Sequence, residues 1–216
     1  MRLLAVIVAS LIFAVSSAKA ENLEDCAKGA ASLEAGNHDA AIDELTRCMK
    51  LGGLSDRNLS AASNNRAFIY LIKGDYDQAI RDFDMAIRLN PFFAQAHYGR
   101  GNAYRRKKAY DQAIQDFDVV IRLNSASARA YRSRCWTYGL MRRPDQALPD
   151  CNESLRINPG NPNTLDSRAF AYWLLEEHEK ARQDLDQARE IDSSHLTWQE
   201  RFHEFEEIIL GRLPGE

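Results

Sequence analysis

Small and large apolar residues return along this chain at a step of 34 residues. With repeats set at 22–55, 60–93, 94–127, 128–161 and 162–195, repeat position 8 holds Gly29, Ala67, Gly101, Cys135 and Ala169. Position 20 holds Ala41, Ala79, Ala113, Ala147 and Ala181, and position 24 holds Leu45, Phe83, Phe117, Cys151 and Leu185. Tyr70, Tyr104, Tyr138 and Tyr172 share position 11. Small facing large at fixed offsets lets two helices approach and lock, so each repeat predicts a helix pair. The turn inside the pair is clearest at Lys73-Gly74-Asp75-Tyr76, where Gly ends one helix and Asp75 can cap the next. The string Arg-(Leu/Ile)-Asn-(Pro/Ser) at Arg88–Pro91, Arg122–Ser125 and Arg156–Pro159 marks the end of the second helix. Repeats of this kind bury their apolar faces only against their neighbours. Pro149 breaks the local rules: it lies inside the second helix of repeat 4, which must start late or bend.

The two ends do not repeat. Residues 1–20 combine Arg2, an apolar run from Leu3 to Val15 and the small-residue ending Ala18-Lys19-Ala20. That pattern predicts a signal peptide cleaved before Glu21, leaving a mature chain of 196 residues. Export follows, to the periplasm if the source is bacterial and otherwise to the outside. No second hydrophobic run is present, so no stable membrane insertion is expected after cleavage. At the other end, residues 196–216 predict a capping helix and tail. Trp198, Phe202, Phe205 and Ile209 form an apolar stripe, Glu200, Glu204, Glu206 and Glu207 lie elsewhere on the wheel, and Gly211 ends the helix. The rival readings are a partner-binding helix and a helix that folds back into a groove, using Trp173 and Phe170 as core.

The repeated residues resemble the tetratricopeptide repeat. Gly74-Asp75-Tyr76-Asp77-Gln78-Ala79-Ile80, with Phe83, Ala86 and Pro91, matches that family's pattern, and the resemblance runs over residues 22–195. It implies an all-α, right-handed superhelical solenoid of five helix-turn-helix repeats with a C-terminal capping helix. It also implies that the first helices line a concave peptide-binding groove. Carried over by position, the groove holds Asn64, Asn65 and Phe68 from repeat 2, and Tyr98, Asn102 and Arg105 from repeat 3. Repeat 4 adds Arg129, Arg132 and Trp136; repeat 5 adds Asp166, Phe170 and Trp173. One subgroup of the family grips a C-terminal carboxylate with a Lys/Asn/Arg set; here only Asn65 matches, so that clamp is not expected. Arg66, Arg100, Arg134 and Arg168 recur at position 7 and read as structural links.

Four cysteines allow three pairings. The family's packing sets Cys135 against Cys151 within repeat 4 and Cys26 against Cys48 within repeat 1. The resemblance therefore implies the bridges Cys26–Cys48 and Cys135–Cys151, in keeping with an exported chain; four free thiols are the alternative.

Charge shapes the expected ligand. The whole chain is near balance, with 28 basic and 31 acidic residues. Residues 100–143 hold eleven Lys/Arg against three Asp/Glu, and residues 145–216 hold seven against sixteen. Arg129 and Arg132 suit a carboxylate. The five histidines form no metal-ligand spacing, and no phosphate loop or nucleophile motif is present, so neither an enzyme nor a cofactor is expected. Arg105-Arg106-Lys107-Lys108 close a helix, where cations are favoured anyway, and nucleic acid is not expected. The expected function is a non-catalytic, exported scaffold that binds a peptide or protein segment, acidic in character. The alternative is a self-associating structural protein, or a subunit of an envelope assembly, with the groove filled by its own C-terminal helix.

Overall fold

The computed structural model describes residues 24–50 and 53–210. Residues 1–20, read above as a signal, and Gly211 lie outside them. The described residues form helices and no strand. The helices are α1 (24–34), α2 (His38–Lys50), α3 (Asp56–Lys73), α4 (Tyr76–Leu89), α5 (Ala94–Arg106) and α6 (Tyr110–Leu123). They continue as α7 (Ala128–Leu140), α8 (Pro144–Ile157), α9 (Pro162–Leu174), α10 (His178–Ile191) and α11 (Trp198–Ile209). Two compact units meet inside α5, one ending at Gly99 and the other starting at Arg100.

Repeat position 15 sets the turn between paired helices. It is left-handed in every repeat: Gly36, Gly74, Lys108, Arg142 and Glu176 all have φ between 55° and 80°. After it, the same pair of backbone bonds recurs. Lys108 N–H donates to the Arg105 carbonyl and Ala109 N–H to the Tyr104 carbonyl, both at 2.9 Å; the Arg142 and Glu176 turns match. These bonds satisfy the last carbonyls of the first helix. Three repeats thus hold a side chain where glycine is free of strain. Lys108→Gly and Glu176→Gly are each expected to stabilise the chain by roughly 0.5–1 kcal/mol, read as a higher urea midpoint. The second helices end alike. Asn90, Asn124 and Asp192 turn extended, and their side-chain oxygens accept from the N–H two residues on, at 3.0–3.2 Å.

Two elements depart from the simplest reading of the chain. α3 begins at Asp56, capped by Ser55, so residues 56–59 extend the first helix of repeat 2 rather than separating repeats. α8 begins on time at Pro144 and runs through Pro149. Pro149 is exposed, so the carbonyl it leaves unpaired on that turn faces water.

The core is the predicted small-on-large contact. All five position-20 alanines are fully buried. A Cβ on Gly29 would lie 2.6 Å from Leu45, one on Gly101 2.8 Å from Phe117, and one on Gly99 2.2 Å from Phe83. In repeat 4 the same pair of positions is covalent: Cys135 is bonded to Cys151, with Cα atoms 5.5 Å apart. Cys26 is bonded to Cys48, with Cα atoms 5.1 Å apart.

The position-7 arginines reach a carboxylate sixteen residues on. Arg66 grips Asp82 with two bonds, at 2.7 and 2.8 Å, and Arg100 grips Asp116 at 2.7 and 2.9 Å. Arg134 holds Asp150 at 2.6 and 2.7 Å, and Arg168 holds Asp184 at 2.7 and 2.8 Å. The remaining nitrogen reaches back to the preceding repeat: Arg66 to Thr46, Arg134 to Asp118 and Arg168 to Asn152. All four aspartates are buried. The hydrogen bond to Asp150 is the main force pushing the Arg134 guanidinium up from its ordinary value, while burial opposes it. Arg66, Arg134 and Arg168 are thus two-way ties, within a repeat and across to its neighbour.

Candidate binding face

Each first helix offers a row of side chains at repeat positions 2, 5, 9 and 12. In the second compact unit that row falls on α7 and α9. Gly139 at position 12 of α7 leaves room for Phe170 at position 9 of α9; a Cβ there would lie 2.8 Å from the ring. Phe170 therefore packs closely against α7, and its centroid is 4.9 Å from Trp136 and 6.3 Å from Trp173. The sequence brings these three rings together as foreseen, but does not leave them open. α11 lies across them. Phe205 packs tilted against Phe170 at 4.8 Å and against Trp173 at 5.9 Å. Phe170 is 0% exposed and Trp136 7%. The expectation that Trp136 and Phe170 line an open groove is therefore corrected: they are core, because α11 removes some of the largest apolar surface on this face from water. Trp173 stays half-buried.

Charge enters beside the rings. Arg201 of α11 is 8% exposed and sends Nε to Asp166 Oδ1 at 2.8 Å and Nη2 to Asp166 Oδ2. Its Nη1 binds Glu204, one turn along α11. The guanidinium stacks 5.8 Å from the Trp136 centroid and 5.3 Å from that of Phe205. Burial alone would pull the Arg201 value down; the carboxylates of Asp166 and Glu204 outweigh it and push it up. Burial pushes the Asp166 carboxyl up, against the pull of Arg201. Thr197 and Glu200 close a reciprocal cap at the start of α11, fixing where that helix begins.

At the N-terminal ends of α7 and α9 lies a cavity of about 70 Å³, lined by Arg129, Arg132, Asn158 and Asn161 among others. Arg129 is exposed and Arg132 half-buried. Arg132 makes no ion pair among the described residues. Arg105 donates to Asn102 at 3.5 Å on α5 of the same compact unit. The first compact unit carries Asn64, Asn65, Phe68 and Tyr98. Asn64 is only 3% exposed, which corrects its place on an open groove; it lies on the buried face of α3 with Ser60 and Ala67. Phe68 meets Phe83 edge-on at 5.2 Å and is half-buried, as are Asn65 and Tyr98.

Two functional features carry a weaker signal in the sequence. The aspartates at position 23 recur in four repeats, and that periodicity would have paired them with the position-7 arginines. Arg201 was lost inside the apolar stripe of α11; only the fold sets it opposite Asp166.

Paired helices stacked by a fixed 34-residue step define a helical-repeat solenoid, a class of protein-interaction scaffold. The family model described as Tetratricopeptide repeat matches residues 69–128. A search of curated proteins finds no match. Among solved structures, a MamA protein shares the fold at a TM-score of 0.69 and 22% identity, over 80% of this chain and 92% of that one. MamA from Desulfovibrio magneticus RS-1 gives 0.71 at 18% identity, over 81% and 96%. A tetratricopeptide repeat protein from Parabacteroides merdae ATCC 43184 gives 0.74 at 14% identity, over 89% of this chain and 74% of that one. No helix among the described residues is long and apolar enough to cross a membrane.

Proposed function

We propose that this chain is an exported, non-catalytic scaffold that holds an acidic protein or peptide segment on the α7–α9 face. The observation that carries the reading is Arg132. It is half-buried beside Arg129, without an ion pair among the described residues, in a cavity whose other polar groups include the amides of Asn158 and Asn161. A guanidinium so placed suits a carboxylate by two parallel bonds, and neighbouring amides suit a peptide backbone. The apolar signal at residues 1–20 and the two intramolecular disulfides support an oxidising compartment.

The test is affinity capture from the chain's own compartment, followed by titration of the recovered partner. Arg132→Glu is expected to weaken binding by at least about tenfold, because it sets like charges against each other. Affinity is also expected to fall as salt rises past physiological strength, where the screening length is about 8 Å. An affinity indifferent to both changes would overturn the acidic-ligand reading.

A second reading has its own support. α11 lies on Trp136 and Phe170, as expected of a self-associating scaffold whose groove is filled by its own C-terminal helix. Sedimentation of the mature chain over a range of concentrations separates the two readings. A monomer at every concentration removes the second.

A further inference from the structure

We infer that the aromatic end of the α7–α9 face is a docking site for an amphipathic helix of another protein, one carrying an arginine and, four residues on, a phenylalanine. In this structure α11 holds that place as the chain's own stand-in. The inference rests on the reading that this face binds protein segments, and adds a second subsite to it.

A cap helix needs only an apolar stripe, and α11 has one. Yet it also buries a full charge. Arg201 is gripped by both oxygens of Asp166, covered on its sides by Trp136 and Phe205, and held by Glu204. A buried ion pair adds little stability over an apolar residue of the same size. What it adds is selection: Asp166 accepts a guanidinium and leaves a neutral side chain with a buried, unpaired carboxylate opposite. Four residues on, Phe205 fills the place between Phe170 and Trp173. One turn of helix separates the two anchors, so the face reads an i, i+4 pair, the usual mode of a helix laid in a groove.

Two features of this face would favour another occupant over α11. The Trp136 indole N–H is buried and meets no acceptor beneath α11. A buried donor without a partner is costly, and an occupant that brings an oxygen to it would bind better. A cavity of about 180 Å³ also opens beside the Asp166–Arg201 pair, with Asn163, Ser194 and His195 on its walls. The far end of the face is ready for a helix terminus: Arg142 Nη2 donates to the carbonyl of Ile209 at 3.2 Å, at the last turn of α11. A helix entering from another protein would present the same unpaired carbonyls there.

The test uses the full chain carrying Arg201→Gln and Phe205→Ala, which weakens the hold of α11 on its place. A fluorescein-labelled peptide with the sequence of residues 196–210 is then titrated against it. Saturable binding is expected, at least about tenfold tighter than to the unaltered chain, where tethered α11 competes at high effective concentration. The same peptide with Arg201→Gln is expected to bind about tenfold more weakly, and the gap should close when the chain also carries Asp166→Asn. Equal binding of the two peptides, or no saturable binding to a chain that keeps its helical circular dichroism, overturns the proposal. If the double variant unfolds, hydrogen exchange on the unaltered chain decides. Amides of 198–209 should exchange at least about tenfold faster than those of α9; a single common rate overturns the proposal. Capture of an acidic partner at the Arg132 cavity is read in a separate titration that does not use this peptide. Failure here therefore leaves the acidic-segment reading standing, and failure there leaves this one.

Discussion

Arg134→Gln is expected to cost about 3 kcal/mol of stability. Its guanidinium holds Asp150 by two bonds and reaches Asp118 in the preceding repeat. The Asp150 side chain is 8% exposed, so losing the arginine leaves a carboxylate with neither water nor partner. The loss is double, since the within-repeat and between-repeat ties share one side chain. Urea unfolding followed by circular dichroism checks it, with a lowered midpoint expected. Arg156→Gln is the control: it breaks an exposed pair with Glu153, three residues away on one helix, and the midpoint should stay where it was. Equal shifts from the two variants would show that the arginine ladder is surface decoration.

Removal of the Cys135–Cys151 bridge, by Cys135→Ala with Cys151→Ala, is expected to cost about 3 kcal/mol. The two residues are 16 apart in sequence, a short loop whose closure restricts the unfolded chain. Both sites are fully buried at the small-on-large contact, so the missing sulfurs also leave space behind. The repeat affected already carries Pro149, which takes one hydrogen bond from α8. Thermal melting of the oxidised, reduced and Ala-substituted chains measures the loss. Digestion of the unreduced protein should yield Cys26 linked to Cys48 and Cys135 linked to Cys151. A peptide joining Cys26 to Cys151, or four alkylatable thiols, would contradict both bridges.

The stack was legible because its signal is redundant. Ala41, Ala79, Ala113, Ala147 and Ala181 say one thing five times, and a contact that must recur identically in each repeat leaves the same residue type at the same offset. The turns were legible for the same reason, although only Gly36 and Gly74 advertise the left-handed backbone that Lys108, Arg142 and Glu176 also adopt. The position-7 arginines read as structural from their recurrence, whereas their aspartate partners do not stand out, because acidic residues on amphipathic helices are usually solvated.

The face of α7 and α9 was legible only by halves. Trp136, Phe170 and Trp173 stand at the positions that line a groove, and three aromatic side chains at those positions say that something covers them. What covers them is not a property of the period. α11 is a single copy without a partner elsewhere in the chain, and a helix wheel cannot say whether its stripe faces the end of the last repeat or the face of the last two. The amino-acid sequence by itself determined the helices, their pairing and the small-on-large core, since those depend on contacts between residues at a constant separation. The tertiary structure alone decided that Arg201 meets Asp166, 35 residues away. That contact depends on the path of one short non-repeating connection, and no repeated offset records it.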